Sequence, residues 1–229
     1  MTILFHDLAG RDERCFSPNG WRTRMALAHK GLAYEVRPTR FTGISGVAGG
    51  GQRMLPVIED GGQVVADSWA IARYLEETYP DRPSLFGGPV GEALTFVLNG
   101  WVSATIHPLI LGLIVLDIHD QLDPEDQAYF RASREKRFGR ALEEVQAGRE
   151  GRVDEVRRAL APARLALGSQ PWLAGAAPGY ADYLLFGALQ WPRIASPFAL
   201  LAGDDPLRGW LDRCLDLHGG VGRATPPRA

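Results

Sequence analysis

Residues Ser17-Pro18-Asn19-Gly20-Trp21-Arg22 place a hydroxyl where a strand gives way to a helix, which is a place to stabilise an anion. A helix N-terminus presents unpaired N–H groups and the positive end of a dipole. The anion that suits a serine there is a thiolate supplied by a ligand. Pro18 costs the first turn little, because that N–H has no helical partner in any case. A second reading is purely local, since serine is a preferred N-cap. Two further dipeptides stand out: Leu55-Pro56, where a strand is entered through a proline, and Asp67-Ser68, at the head of a second helix.

The elements that carry these residues alternate. Residues 2–6 read as a strand, and Trp21, Met25, Ala28 and Leu32 keep helical spacing until Gly31 closes that helix. Residues 33–37 read as a second strand and 39–53 as a glycine-containing loop. Residues 55–59 and 63–66 make a hairpin about Asp60-Gly61-Gly62. Asp67-Ser68 then caps a helix whose apolar face is Ile71, Ala72, Leu75 and Tyr79. The order βαβ then ββα is that of a thioredoxin-like domain, assigned to residues 1–82. Residues 83–91 have the composition of a linker. Residues 92–229 read as an all-helical domain, with helices over 94–118 and 124–146 and near 152–168, 180–191 and 205–217, then a loose tail. The fold class is α/β followed by all-α.

Composition narrows the function. The 229-residue chain is 45% hydrophobic and 23% charged with a formal charge of −2, which does not suggest the clustered basic face of a nucleic-acid binder. The most apolar run, 108–116, is about half a bilayer span, and the N-terminus lacks the pattern of a secretory signal. A cytoplasmic protein without membrane association is expected. Two cysteines, Cys15 and Cys214, make neither a disulfide framework nor a metal cluster, and His119-Asp120 lacks further ligands at metal spacing, so no metal is assigned. Gly49-Gly50-Gly51 lacks the Lys-Ser/Thr of a phosphate loop.

Ser17-Pro18, Leu55-Pro56 and Asp67-Ser68, in this order and spacing, resemble the N-terminal domain of glutathione transferases, and the helical remainder resembles their C-terminal domain. The resemblance implies a catalytic Ser17 that donates a hydrogen bond to the glutathione sulfur, with Asn19 assisting. In serine- and cysteine-type members the active residue lies five positions before the helix arginine, which selects Ser17 before Arg22 over Cys15. It further implies that Pro56 is cis and that Leu55 pairs through its backbone with the cysteinyl part of glutathione. Ser68 would hold the γ-glutamyl carboxylate and Asp67 offset the ammonium group. Arg40, Gln52 and Arg53 are unranked candidates for the glycine carboxylate. Asp182, after Pro178-Gly179-Tyr180-Ala181, matches the family's buried capping segment and reads as structural.

Within that superfamily, Trp21-Arg22-Thr23, Phe41-Thr42-Gly43-Ile44, Tyr79-Pro80-Asp81-Arg82-Pro83 and Val145-Gln146-Ala147-Gly148-Arg149-Glu150 look like the bacterial lignin β-etherase group. That kinship implies attack of glutathione on a carbon that bears an aryl ether beside a ketone, with a glutathione thioether and a phenol as products. The electrophile pocket is expected to be apolar and aromatic, with Trp101, Ile106 and His107 as lining candidates and Tyr129 beside them; each is equally a candidate core residue. A homodimer is expected from the same kinship. Zeta-like isomerisation or dehalogenation shares the serine before Trp-Arg and stays open, and an acid substrate there would call for extra arginines. A non-catalytic glutathione-binding relative is the third reading.

Overall fold

The computed structural model describes residues 2–228. Four strands form a mixed sheet in the order β2 (Tyr34–Thr39), β1 (Ile3–Leu8), β3 (Val57–Asp60), β4 (Gln63–Ala66). β1 and β2 are parallel, whereas β3 is antiparallel to both β1 and β4. Helix α1 (Pro18–His29) supplies the crossover that a parallel β1–β2 pair requires, and α2 (Ser68–Thr78) follows the hairpin. Ile3 and Phe5 of β1 and Ile58 of β3 meet Trp21, Met25, Ile71, Ala72 and Leu75 of the two helices in one core. This is the thioredoxin-like arrangement expected from the order of elements.

The second domain is helical: α3 (Pro89–Trp101), a π turn (Val102–Ile106), α4 (His107–Asp120), α5 (Pro124–Phe138), α6 (Leu142–Gln146), α7 (Arg149–Ala159), α8 (Ala161–Leu167), α9 (Tyr180–Ala195) and α10 (Leu207–Gly220). Residues 89–120 run as one continuous helical rod, long and apolar enough by length and composition to cross a bilayer. Ile110, Leu113, Ile114 and Ile118 are buried in the protein's own core, as in the central helix of a packed domain. The rod begins at Pro89, so helix already occupies the end of the expected 83–91 linker.

Two expected helices are broken for local reasons. The segment 124–146 divides at Gly139, whose left-handed φ of 70° ends α5. The segment 152–168 divides at Leu160, because Pro162 begins a new helix in α8.

Helix α9 joins the domains. Nearly all of it is buried, and it packs along α1. Gly179 caps it without a side chain, and the Asp182 carboxylate supplies the missing bonds: it accepts from the N–H groups of Gly179, Leu173 and Ala174 at 2.8–3.2 Å and from Trp210 Nε1 at 2.9 Å. At the far end of α1, His29 Nδ1 meets the Tyr183 hydroxyl at 2.6 Å, and that hydroxyl meets His218 Nε2 at 2.9 Å. Asp182→Ala strands those donors inside the protein, and a loss of about 3 kcal/mol or more is expected, read as a lower urea midpoint at unchanged slope.

Candidate active site

The first turn of α1 is wedged between β1 of its own domain and α9 of the other. A Cβ added to Gly20 would lie 1.8 Å from Oδ1 of Asp7 on β1, and one added to Gly187 of α9 would lie 2.3 Å from the Pro18 carbonyl oxygen. Only glycines permit both approaches. Asp7 is fully buried, its carboxyl pushed up by burial and drawn back by Arg24, whose Nη2 is 3.1 Å away. Ser17 sits at the N-cap and its Oγ accepts from Gly20 N at 3.3 Å. The local reading of Ser17 as a cap is therefore correct, and it is compatible with the chemical one. A hydroxyl that accepts at a lone pair keeps its proton to donate, and that proton has no acceptor among the described residues. Asn19 is partly exposed beside it.

Across from Ser17, the Leu55–Pro56 peptide is cis. Leu55 lies before β3, and neither its N–H nor its C=O pairs with another backbone group among the described residues. The Pro56 carbonyl accepts from Asp67 N at 3.1 Å, which fixes the head of α2 next to this open segment. Asp67, at a left-handed φ of 79°, caps α2 through Oδ1, which accepts from Trp69 N and Ala70 N. Ser68 follows as a buried first-turn residue whose carbonyl accepts from the Tyr180 hydroxyl at 2.7 Å. So Asp67 is the cap and Ser68 opens the helix.

A cleft of about 420 Å³ lies between the domains and is lined by Ser17, Pro18, Asn19, Arg53 and Leu55 on one side and by His107, Leu111, Tyr129 and Trp191 on the other. Phe16, Phe41 and Phe130 add aromatic surface. Phe41 is held there by buried Asp126 of α5, whose carboxylate accepts from Phe41 N, Thr42 N and Thr42 Oγ1 at 2.8–3.0 Å. Arg53, Arg134 and Arg137 line the same cleft, and no carboxylate does among the described residues. Elsewhere on α5, Arg131 is paired with Glu135 and Glu143, whereas Arg134 lies 4.5 Å over the Phe130 ring without an acidic partner.

Behind the cleft, Arg22 is 2% exposed and makes no ion pair with a carboxylate among the described residues. Its Nη1 donates to Asn99 Oδ1 at 3.0 Å and its Nη2 meets His107 Nε2 at 3.2 Å. Burial, reinforced by the Arg22 charge, pushes the His107 imidazolium down to about 3, so the ring is neutral.

Ser17, Asn19, Leu55, His107 and Tyr129 thus share the cleft, and Pro56, Asp67 and Ser68 adjoin it. The remaining expected residues, Arg53 apart, lie outside the cleft lining. Arg40 is turned to Asp123 at 3.0 Å and lies off the cleft, as does Gln52; of the three loop candidates only Arg53 lines it. Trp101 packs against the core and Ile106 is fully buried, and neither lines the cleft. Between Trp101 and His107 lies the π turn, where His107 N bonds to the Val102 carbonyl and the wider turn offsets the faces of α4 from those of α3. Pro108, which cannot donate to residue 104, sits at its end. Cys15 is buried, with its thiol pushed up by burial and by Asp7, the reverse of an activated thiolate. Sequence reasoning missed Phe16, Phe41, Ser103, Arg134, Arg137 and Trp191; the signal for the arginines was their spacing of three on one helix.

Comparison with known proteins agrees with this architecture. Residues 16–78 match the profile described as "Glutathione S-transferase, N-terminal domain", and residues 93–201 match "Glutathione S-transferase, C-terminal domain". A zeta-class glutathione S-transferase of Euphorbia esula is 30% identical over 149 residues, 59% of this chain and 64% of that protein. The chain thus spans just under two thirds of that relative, and 48% of a maleylacetoacetate isomerase of Dictyostelium discoideum. A maleylacetoacetate isomerase of Pseudomonas aeruginosa is 28% identical over 215 residues, covering 84% of this chain and 90% of the relative. Among solved structures, a glutathione transferase of Phanerochaete chrysosporium superposes with a TM-score of 0.75 at 29% identity, covering 96% of this chain and 93% of that one. A glutathione S-transferase of Ceriporiopsis subvermispora, solved in complex with glutathione, gives 0.77 at 26% identity, with 98% and 95% covered. With both domain profiles matched in order and the whole fold shared, the chain belongs to the glutathione transferase superfamily.

Proposed function

We propose that the protein binds glutathione, stabilises its thiolate with Ser17 and directs it at an aromatic electrophile in the interdomain cleft. The observation that carries this reading is the Ser17 hydroxyl, buried at the α1 N-terminus with its proton unclaimed, facing a cleft shared with the unpaired Leu55 backbone. Leu55 would pair with the cysteinyl unit as an added strand does. Ser68 and the α2 N-terminus would hold the γ-glutamyl carboxylate, Asp67 would face the ammonium group through its free Oδ2, and Arg53 would meet the glycine carboxylate. A thiol of pKa ~8.5 lowered by about 2 units is mostly ionised at neutral pH, a shift worth ~2.7 kcal/mol. One hydroxyl donor together with a helix terminus is sufficient for that. Asn19 stands beside Ser17 as a second donor to the sulfur.

For the electrophile, the β-etherase-like stretches and the walls of Phe16, Phe41, Tyr129 and Trp191 support a β-aryl ether ketone, cleaved to a glutathione thioether and a phenol. A second reading is a zeta-like reaction on an unsaturated acid. It is favoured by Arg134 and Arg137, which bring uncompensated positive charge to the side of the cleft opposite Arg53. A homodimer is proposed through α3, where Val90, Leu94 and Val97 form an exposed stripe, 67–75% accessible, beside Phe96, whose ring lies tilted against Trp69 at 5.0 Å.

Three measurements test these readings. Ser17→Ala is expected to raise the pKa of bound glutathione thiol by about 1–2 units and to lower kcat by on the order of 10- to 100-fold; an unchanged thiol pKa removes Ser17 from the chemistry. Product analysis with a β-aryl ether ketone and a maleyl-type acid separates the substrates. Turnover of the acid, with KM raised about tenfold in Arg134→Gln/Arg137→Gln, selects the second reading, whereas phenol release insensitive to these substitutions selects the first. Leu94→Asp is expected to convert a dimer to a monomer in light scattering, and a wild-type monomer refutes the interface.

A further inference from the structure

His107 occupies an unusual position. Its Nε2 faces Arg22, a guanidinium that has only N–H donors, so this nitrogen is obliged to accept. The ring is neutral, because the buried Arg22 charge and desolvation both oppose protonation. A neutral imidazole that accepts at one nitrogen carries its proton on the other. Nδ1 has no partner among the described residues, yet it is not among the sealed unsatisfied atoms either, and His107 lines the cleft. Trp191 meets the ring edge to face at 5.9 Å, and Asn99 holds the other arm of Arg22, so both ring and guanidinium are fixed.

We propose that Arg22 locks His107 as the Nδ1–H tautomer, and that this N–H is a catalytic hydrogen-bond donor to the carbonyl oxygen of the electrophile. The proposal rests on the function given above and adds the group that polarises the acceptor. In the ether-cleaving reaction the glutathione thiolate forms a C–S bond to the carbon beside the carbonyl. The bond from that carbon to the aryl ether oxygen breaks, and its electron pair leaves on the phenolate, which takes a proton from water. His107 transfers no proton. It bonds to the carbonyl oxygen as negative charge gathers there, the point at which a fixed donor contributes most. In the conjugate addition of the second reading, the same oxygen becomes an enolate and makes the same demand.

The structural alternative is that His107 only anchors Arg22. Two experiments distinguish them. In the wild-type protein, nitrogen NMR of His107 is expected to show the Nδ1–H tautomer, neutral from pH 9 down to pH 5; an Nε2–H tautomer or a titration within that range overturns the proposal, with no dependence on turnover. In kinetics, the ratio of kcat/KM for a carbonyl acceptor (the ketone or the keto acid, whichever is turned over) to that for an aryl halide without a carbonyl is compared across variants. His107→Leu is expected to lower this ratio by about 30-fold or more, and His107→Asn, which keeps an N–H near the Nδ1 position, to restore most of it. Equal losses on both acceptors, or a leucine and an asparagine variant that behave alike, assign His107 to structure. Titration of the bound glutathione thiol stands apart: a wild-type protein that fails to lower the thiol pKa refutes the proposed function and leaves the tautomer result standing.

Discussion

The seating of the α1 N-terminus through two close approaches that no Cβ would allow, at Gly20 and at Gly187, is the constraint on which the rest depends. Gly20 lets the helix backbone touch the Asp7 carboxylate from one domain, and Gly187 lets the other domain touch the Pro18 carbonyl. A hydroxyl on such a turn has little freedom left, and entropy that is not lost on binding is not subtracted from the interaction. Asp7 buried against Arg24 is costly by itself. The pair sits directly beneath the turn, where it braces the backbone that presents Ser17.

The charges around this turn are arranged asymmetrically. Arg22 is buried without a carboxylate partner among the described residues, while Asp7 and Arg24 pair a few residues away. Three arginines line the cleft and none of its walls carries an acid among the described residues. A whole chain of net charge −2 thus concentrates positive potential in one crevice. In the proposed function, such a crevice attracts the two carboxylates of glutathione before any specific contact forms.

How much of this was legible in the chain depends on the range of the interactions. Ser17-Pro18, Leu55-Pro56 and Asp67-Ser68 are local devices, a cap, a cis proline and a second cap, and each was found at its expected element. The order of strands was equally legible, because hairpin turns and helix stops are written within a few residues. The helical wall of the cleft was not. Trp101 and Ile106 looked plausible on a straight helix, whereas the rod carries a π turn and both residues pack into the core. The pairing of Arg40 with Asp123 is announced by no local pattern either. Phe41, Arg134 and Trp191 come from three elements distant in sequence, and only their packing reveals that they share a surface.

Asp126 carries a final consequence. By accepting both amides and the hydroxyl of Phe41-Thr42, it ties the loop of one domain to the helix that bears Tyr129, Phe130 and Arg134. The two sides of the interdomain cleft are therefore clamped together at this point, although they belong to different domains. A cleft clamped in this way keeps a fixed gape, so the bulk of the side chains set in it decides what fits between them. Exchanging those side chains one at a time would reshape the opening and leave the Ser17 and Leu55 end undisturbed.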